Sequence, residues 1–312
     1  MRDSFARTMY EVGHKTKDVF IVVADISPAG SMAPFRKDFP DRFVNVGVAE
    51  QSMIALCAGL ALRGCRPFAY TIATFSIYRP FEQVRVDVCY QNLPVTIVGI
   101  GGGLAYSTLG GTHHAQEDVA IMSALPNMTV MAPCDPAETA AATWAAVACN
   151  GPVYLRLGKA GEPDLTSTAV DPYVFGRIRR LRQGRDICIL SYGSITKMAF
   201  DAAEAIEKES GATVAVASVH TIKPLDREGI ARVLQEFSTV VVVEEHSPHG
   251  GLGAQVKEIA WESGARCRLA TFSLKDEFIH AFGSHGYLLE RHGLSVNALT
   301  SAALTPAHGR SV

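Results

Sequence analysis

The chain has 312 residues, with 29 Lys and Arg against 31 Asp and Glu, a formal net charge of -2 and 48% hydrophobic residues. At roughly 100–200 residues per domain this length allows about two domains, each with its own core. The balanced charge excludes a binder of nucleic acid or membrane surface that works through a broad positive field, so small molecules and other proteins are the expected partners.

Short apolar runs alternate with longer amphipathic ones, the pattern of strands interleaved with helices. In chain order the first half reads as a helix over Ser4 to Gly13, strands over Val19 to Ala24 and Phe43 to Val46, and a helix over Glu50 to Leu62. A strand over Pro67 to Tyr70, a helix over Pro80 to Tyr90, strands over Val95 to Gly99 and Thr129 to Met131, a helix over Pro136 to Cys149 and a strand over Val153 to Leu155 follow. Near-continuous runs such as Val19-Phe20-Ile21-Val22-Val23 predict a mostly parallel sheet covered on both faces. From Lys159 to Arg185 the chain turns to Gly, Pro, Asp and Arg without apolar period, a domain boundary. The second half reads as strands over Ile187 to Leu190, Thr213 to Ala217, Val240 to Val243 and Arg268 to Phe272. Between and after them come helices over Thr196 to Ser210, Asp226 to Phe237, Leu252 to Ser263 and Ser295 to Ala303. The reading is therefore two α/β domains, 1–160 and 185–312, joined by a linker at 161–184, with a tail expected to fray after Pro306. No internal repeat or low-complexity tract is visible.

The seven cysteines at 57, 65, 89, 134, 149, 188 and 267 form no Cys-x-x-Cys pair and no metal-ligand spacing. They read as reduced thiols packed like small hydrophobes. Met1-Arg2-Asp3-Ser4 lacks a charged-then-apolar leader, and no apolar run approaches the roughly 20 residues that span a bilayer. A cytoplasmic chain without a metal site of its own is expected.

The densest chemical signal is Asp41-Arg42-Phe43-Val44-Asn45-Val46-Gly47-Val48-Ala49-Glu50-Gln51-Ser52-Met53. It places a carboxylate between a buried strand and the first turn of an almost wholly apolar helix. Glu50 there either complements the helix dipole or is a carboxyl held out of water, able to share a proton with a ligand nitrogen. Position alone favours the first.

The same stretch resembles the pyrimidine-binding half of transketolases and 1-deoxyxylulose-5-phosphate synthases. An ordered set of further segments extends the resemblance along nearly the whole chain: Thr74-Phe75, Glu82-Gln83, Gln91-Asn92-Leu93-Pro94-Val95, Gly110-Gly111-Thr112-His113-His114, Pro126-Asn127-Met128 and Met131-Ala132-Pro133-Cys134-Asp135. Ile189-Leu190-Ser191-Tyr192-Gly193-Ser194 and Val243-Glu244-Glu245-His246 resemble the carboxy-terminal domain of that family. The resemblance implies that Glu50 hydrogen-bonds the aminopyrimidine ring nitrogen of thiamine diphosphate and so activates the cofactor, which carries the demanding chemistry of ketol transfer. It further implies that Phe75 stacks on the aminopyrimidine, that Tyr78 and Phe81 belong to the same pocket, and that His113 faces the substrate to stabilise alkoxide or move protons.

Two departures bear on substrate. The family usually carries Asp-Gly-Pro-Thr-His where this chain has Leu109-Gly110-Gly111-Thr112-His113, so the acidic residue that reads a sugar hydroxyl is absent, and Ile100 or Gly101 stands where transketolases place a phosphate-contacting histidine. Lys159 falls at the position of a phosphate-binding arginine, keeping the charge without the bidentate fork, with Arg156 as the neighbouring candidate. The glycines at 99, 101, 102 and 103 do not form a dinucleotide fingerprint and would let backbone approach a ligand. No Gly-Asp-Gly occurs in the sequence, and in this family that motif begins the module that holds the cofactor diphosphate through Mg²⁺ or Ca²⁺. The resemblance thus implies one subunit of a split transketolase, completed by a partner chain with the diphosphate-binding domain in an α2β2 heterotetramer and acting on small sugars or sugar phosphates. The alternatives are the β subunit of a 2-oxo acid dehydrogenase decarboxylase and a non-catalytic regulatory or assembly subunit.

Overall fold

The computed structural model describes residues 1–26 and 30–305, and the tail after Pro306 lies outside the described residues. Runs such as those at Thr96–Ile100 and Val153–Leu157 become strands buried on both faces, because a parallel sheet covered by helices has no solvated face toward which to alternate. The strands of the first half are β1 (Val19–Val23), β2 (Phe43–Asn45), β3 (Arg66–Ile72), β4 (Thr96–Ile100), β5 (Thr129–Met131) and β6 (Val153–Leu157). The second half adds β7 (Arg179–Arg182), β8 (Ile187–Ser191), β9 (Val214–Ser218), β10 (Thr221–Lys223), β11 (Thr239–Val243) and β12 (Arg268–Phe272).

They form two mostly parallel sheets. The first runs β10-β5-β6-β4-β3-β1-β2 and is parallel throughout except where β10 meets β5. The second runs β12-β11-β8-β9-β7 and is parallel except where β7 meets β9. On one face of the first sheet Phe68, Tyr70, Val98 and Leu155 pack with Phe5, Met9 and Ala142 of the helices Arg2–Lys15 and Pro136–Ala148. On the other face Ala69, Ile97 and Tyr154 share a cluster with Met53, Ile54 and Cys57 of the helix Glu50–Leu62. No helix among the described residues is long and apolar enough to cross a membrane.

Two strands lie where the sequence carries no strand signal. β7, Arg179-Arg180-Leu181-Arg182, falls inside the segment read as linker and buries only Leu181. An antiparallel edge strand can be this polar because half its surface faces water. β10 comes from the second half of the chain yet completes the first sheet. The region expected as one helix over Pro80 to Tyr90 is a short turn of helix, Phe81–Gln83, continued by a π-helical stretch, Val84–Tyr90.

The Met131 to Asp135 motif is the joint between the two halves. Ala132 N–H donates to the His220 carbonyl at 2.8 Å, and the Ala132 carbonyl accepts from Gly193 N–H at 3.0 Å. Asp135 caps the helix Pro136–Ala148 by accepting from Glu138 N–H at 2.7 Å. Its second oxygen takes the Leu165 and Thr166 N–H groups, each at 2.9 Å. One buried carboxylate therefore satisfies a helix terminus and the incoming connection together.

Candidate functional site

Ligands of open parallel sheets sit beyond the carboxyl ends of the strands, where connections diverge. Four of the expected site residues follow such ends: Glu50 comes after β2, Phe75 after β3, His113 after β4 and Lys159 after β6. The topology thus brings four chain-distant segments to one edge of the first sheet.

The turn that delivers Glu50 is built by Asn45 and Gly47. The Asn45 side-chain oxygen accepts from Asp25 N–H and Gly47 N–H, both at 3.0 Å. Gly47 adopts φ of +73°, a conformation that glycine reaches without steric cost. Glu50 then opens the helix Glu50–Leu62, where the dipole favours a negative charge. Only 5% of Glu50 is exposed, and its Oε1 accepts from Arg79 Nη1 at 3.0 Å. Val48, Ala49, Gln51, Ser52 and Arg79 surround it in an open depression of about 490 Å³.

A ladder of rings and cations continues from there. The Arg79 guanidinium carbon lies 4.4 Å from the centroid of the Phe75 ring, and His113 meets Phe75 edge-on with centroids 5.0 Å apart. Tyr106 stands 5.9 Å from His113 on the other side, and Lys159 Nζ lies 5.0 Å from the centre of the Tyr106 ring. The structure therefore brings Glu50, Phe75, His113 and Lys159 into one array, adding Arg79 and Tyr106, which no sequence pattern had marked. The His113 imidazole is held below its ordinary pKa, first by loss of hydration and then by the Arg79 cation, and its Nδ1 pairs with Thr112 Oγ1 at 2.9 Å. A neutral ring in this position can accept a proton.

The remaining candidates are placed differently. Tyr78 turns its hydroxyl to Glu117 Oε2 at 2.7 Å, and burial with the nearby Asp118 and Glu117 carboxylates pushes that phenol up. Phe81 is half-buried against the core cluster around Met53. Arg156 does not reach the open site. It is buried, its Nε donates to Asp118 Oδ2 at 2.7 Å and its Nη2 to the Glu245 carbonyl at 2.9 Å, while Tyr154 adds its hydroxyl to Asp118 at 2.8 Å. The second phosphate candidate is thus a tie between the two halves of the chain.

The loop glycines likewise approach protein. A Cβ on Gly101, at φ of +74°, would lie 2.2 Å from the Tyr106 ring, and one on Gly103, at φ of +66°, would lie 2.6 Å from the Glu245 carboxyl group. They let Tyr106 turn under the loop and let Glu245 accept the Leu104 N–H. His285 Nε2 pairs with the same Glu245 oxygen at 2.8 Å. The loop that carries His113 is accordingly fastened to the second sheet.

A planar cation already fills the space between the Phe75 ring and the Glu50 carboxyl group. A flat, nitrogen-bearing ring with a hydrogen-bonding edge meets the same two demands, so these residues fit an aminopyrimidine. The fold defines two joined α/β domains with mostly parallel sheets, the first carrying this open site at the carboxyl ends of its strands. Residues 1–161 match the family model of the transketolase pyrimidine binding domain, and residues 176–299 match that of the transketolase C-terminal domain.

The chain belongs to the transketolase family. It is 34% identical over 302 residues to one of the subunits of apulose-4-phosphate transketolase from Phocaeicola vulgatus, covering 96% of each chain. To a 6-deoxy-6-sulfo-D-fructose transketolase subunit of Clostridium sp. it is 35% identical over 303 residues, covering 97% of this chain and 93% of that one. A solved split gene transketolase, described as an inactive β4 tetramer, shares the fold with a TM-score of 0.87 at 35% identity, covering 97% and 96% of the two chains. Transketolase of Campylobacter jejuni shares the fold at a TM-score of 0.80 and 20% identity, with 45% of that chain covered. The protein is homologous over nearly its whole length to subunits of transketolases, a split gene transketolase among them, and the family implies thiamine diphosphate as cofactor.

Proposed function

We propose that this chain supplies the pyrimidine half of a thiamine diphosphate site and that a partner chain bearing the diphosphate-binding domain, with Mg²⁺ or Ca²⁺, completes it in an α2β2 heterotetramer. The observation that carries this reading is the convergence of Glu50, Phe75 and His113 at the carboxyl edge of the first sheet. The helix Glu50–Leu62 also leaves Leu56, 37% exposed, and Leu62, 63% exposed, uncovered. A helix apolar on both faces is made to be covered. Among the described residues no group of three His, Cys, Asp or Glu is placed to hold a metal ion, and the reading assigns the cation to the partner. The seven unpaired thiols support a cytoplasmic setting.

When bound, thiamine diphosphate would supply the carbanion chemistry by which a two-carbon ketol unit passes from a ketose to an aldehyde. The residues of this chain bind and orient it. Phe75 offers a flat apolar face, while Glu50, shielded from bulk water, offers a carboxyl group that hydrogen-bonds a ring nitrogen. His113, held neutral, accepts or returns a proton at the substrate oxygen, and Lys159 places a positive charge near a phosphorylated substrate. Tyr78 and Phe81 support the wall of the pocket, the first by holding Glu117 and the second by packing on the core.

The test is reconstitution with the partner chain, thiamine diphosphate and Mg²⁺. Ketol transfer is expected, and Glu50→Ala and Glu50→Gln should abolish it while assembly persists. Unchanged turnover in those variants overturns the reading, and lipoamide-dependent acyl transfer would assign the chain to the 2-oxo acid dehydrogenases.

A further inference from the structure

Arg79 occupies the space that the proposed cofactor ring needs. Its guanidinium is planar, lies 4.4 Å from the centre of the Phe75 ring and donates to Glu50 Oε1 at 3.0 Å. Glu50 is the one acceptor that this guanidinium meets among the described residues. The pairing is lopsided: the Arg79 side chain is 52% exposed and that of Glu50 6%. A buried carboxylate left without a partner is costly, and a half-buried aromatic face attracts a cation. The guanidinium satisfies both while resting on the wall of an open depression. Its exposed stem lets it leave without repacking the core, and an ion pair open to water on one side is cheap to break.

We propose that Arg79 is a placeholder for the aminopyrimidine, stacking on Phe75 and pairing with Glu50 until the cofactor ring displaces it. The proposal rests on the reading of Glu50 and Phe75 as the pyrimidine slot. Two planar groups cannot share one ring face and one carboxylate oxygen, so binding and Arg79 occupancy exclude each other. The apparent affinity for the cofactor then falls by the fraction of time the slot is free. Placeholder occupancy keeps the Glu50 carboxylate paired in the cofactor-free subunit.

The test uses the full chain assembled with its diphosphate-binding partner. Calorimetry and stopped-flow measurement of thiamine diphosphate binding should show Arg79→Ala and Arg79→Gln binding about tenfold tighter and associating faster, as for a slot free about a tenth of the time. Millimolar guanidinium ion should compete with the cofactor in Arg79→Ala and have no such effect on the parent, a response that a merely structural arginine would not produce. Unchanged or weaker binding in both variants, or absence of guanidinium competition, overturns the proposal. Glu50→Gln separates the two levels of inference. If it alters the near-ultraviolet circular dichroism of bound cofactor while the Arg79 variants bind like the parent, only the placeholder fails. If Glu50→Gln changes neither affinity nor spectrum, the pyrimidine slot itself is misassigned and the placeholder falls with it.

Discussion

Arg79 Nη1 and Glu50 Oε1 meet at 3.0 Å, although one residue follows β3 and the other opens the helix after β2. The same guanidinium depresses the basicity of His113, second only to the loss of hydration. Removing it withdraws a cation that opposes protonation, so the His113 pKa in Arg79→Ala should rise toward the ordinary 6.5. Nuclear magnetic resonance titration of the imidazole protons measures this directly. An unmoved titration would assign the depression to burial alone.

The Asp118–Arg156 pair is buried on both sides and holds the strand β6 to the second half of the chain through the Glu245 carbonyl. Removing one partner leaves an uncompensated charge in the interior, which costs about 3–5 kcal/mol. Asp118→Ala should destabilise by that amount in chemical denaturation. The double variant Asp118→Ala/Arg156→Met should recover much of the loss, because neither charge is then orphaned. Strictly additive losses would show that the two residues act independently.

These networks mark where sequence reading reaches its limit. β1, β4, β8 and β11 were legible because burial on both faces writes itself as an unbroken apolar run. β7 and β10 were not, since a polar edge strand and a three-residue strand lent to a distant sheet leave no periodic trace. Glu50, Phe75 and His113 were marked as candidates by the family pattern around them, and the structure brings them together. Arg79 was not, because nothing in Ile77-Tyr78-Arg79-Pro80 says where a long, exposed side chain will fold back. Arg156 misled for a related reason: its neighbours describe the end of a strand, while the carboxylate that claims it lies on a separate element, the helix Asp118–Ala124. The segments Met131 to Asp135 and Val243 to His246 carried family resemblance, and the structure shows them fastening the domains and capping helices.

In the proposed reading Lys159 is the remaining sequence-marked cation for a substrate phosphate, because Arg156 is buried in its pair with Asp118. Its amine sits over Tyr106, which in turn faces His113. Lys159→Ala should raise KM for phosphorylated acceptors by roughly tenfold, the scale of one charge-assisted hydrogen bond, with kcat little changed. Lys159→Arg should restore most of the affinity. Steady-state kinetics with matched phosphorylated and unphosphorylated acceptors decides the matter, and an equal rise for both would refute a phosphate role.

His220 gives the chain a predicted acid sensitivity. Its ring is fully buried at the joint between the halves, stacked on Tyr173 with centroids 4.2 Å apart, and its Nδ1 lies 3.0 Å from Thr221 Oγ1. Burial first, and then the Arg179 cation, lower its pKa from 6.5 to about 4. The unfolded chain therefore binds a proton between pH 6.5 and 4 that the folded chain refuses, and stability must fall as pH drops through that window. Well above pH 6.5 the ring is neutral in both states and contributes no pH dependence. At pH 5 the loss from this group alone is about 2 kcal/mol, because each pKa unit corresponds to about 1.36 kcal/mol. His220→Gln should flatten that part of the profile while lowering stability at pH 7.5 through imperfect packing on Tyr173. Urea denaturation of parent and variant at pH 7.5 and pH 5 measures the difference, and an identical pH dependence in the two would show that other groups set the acid limit.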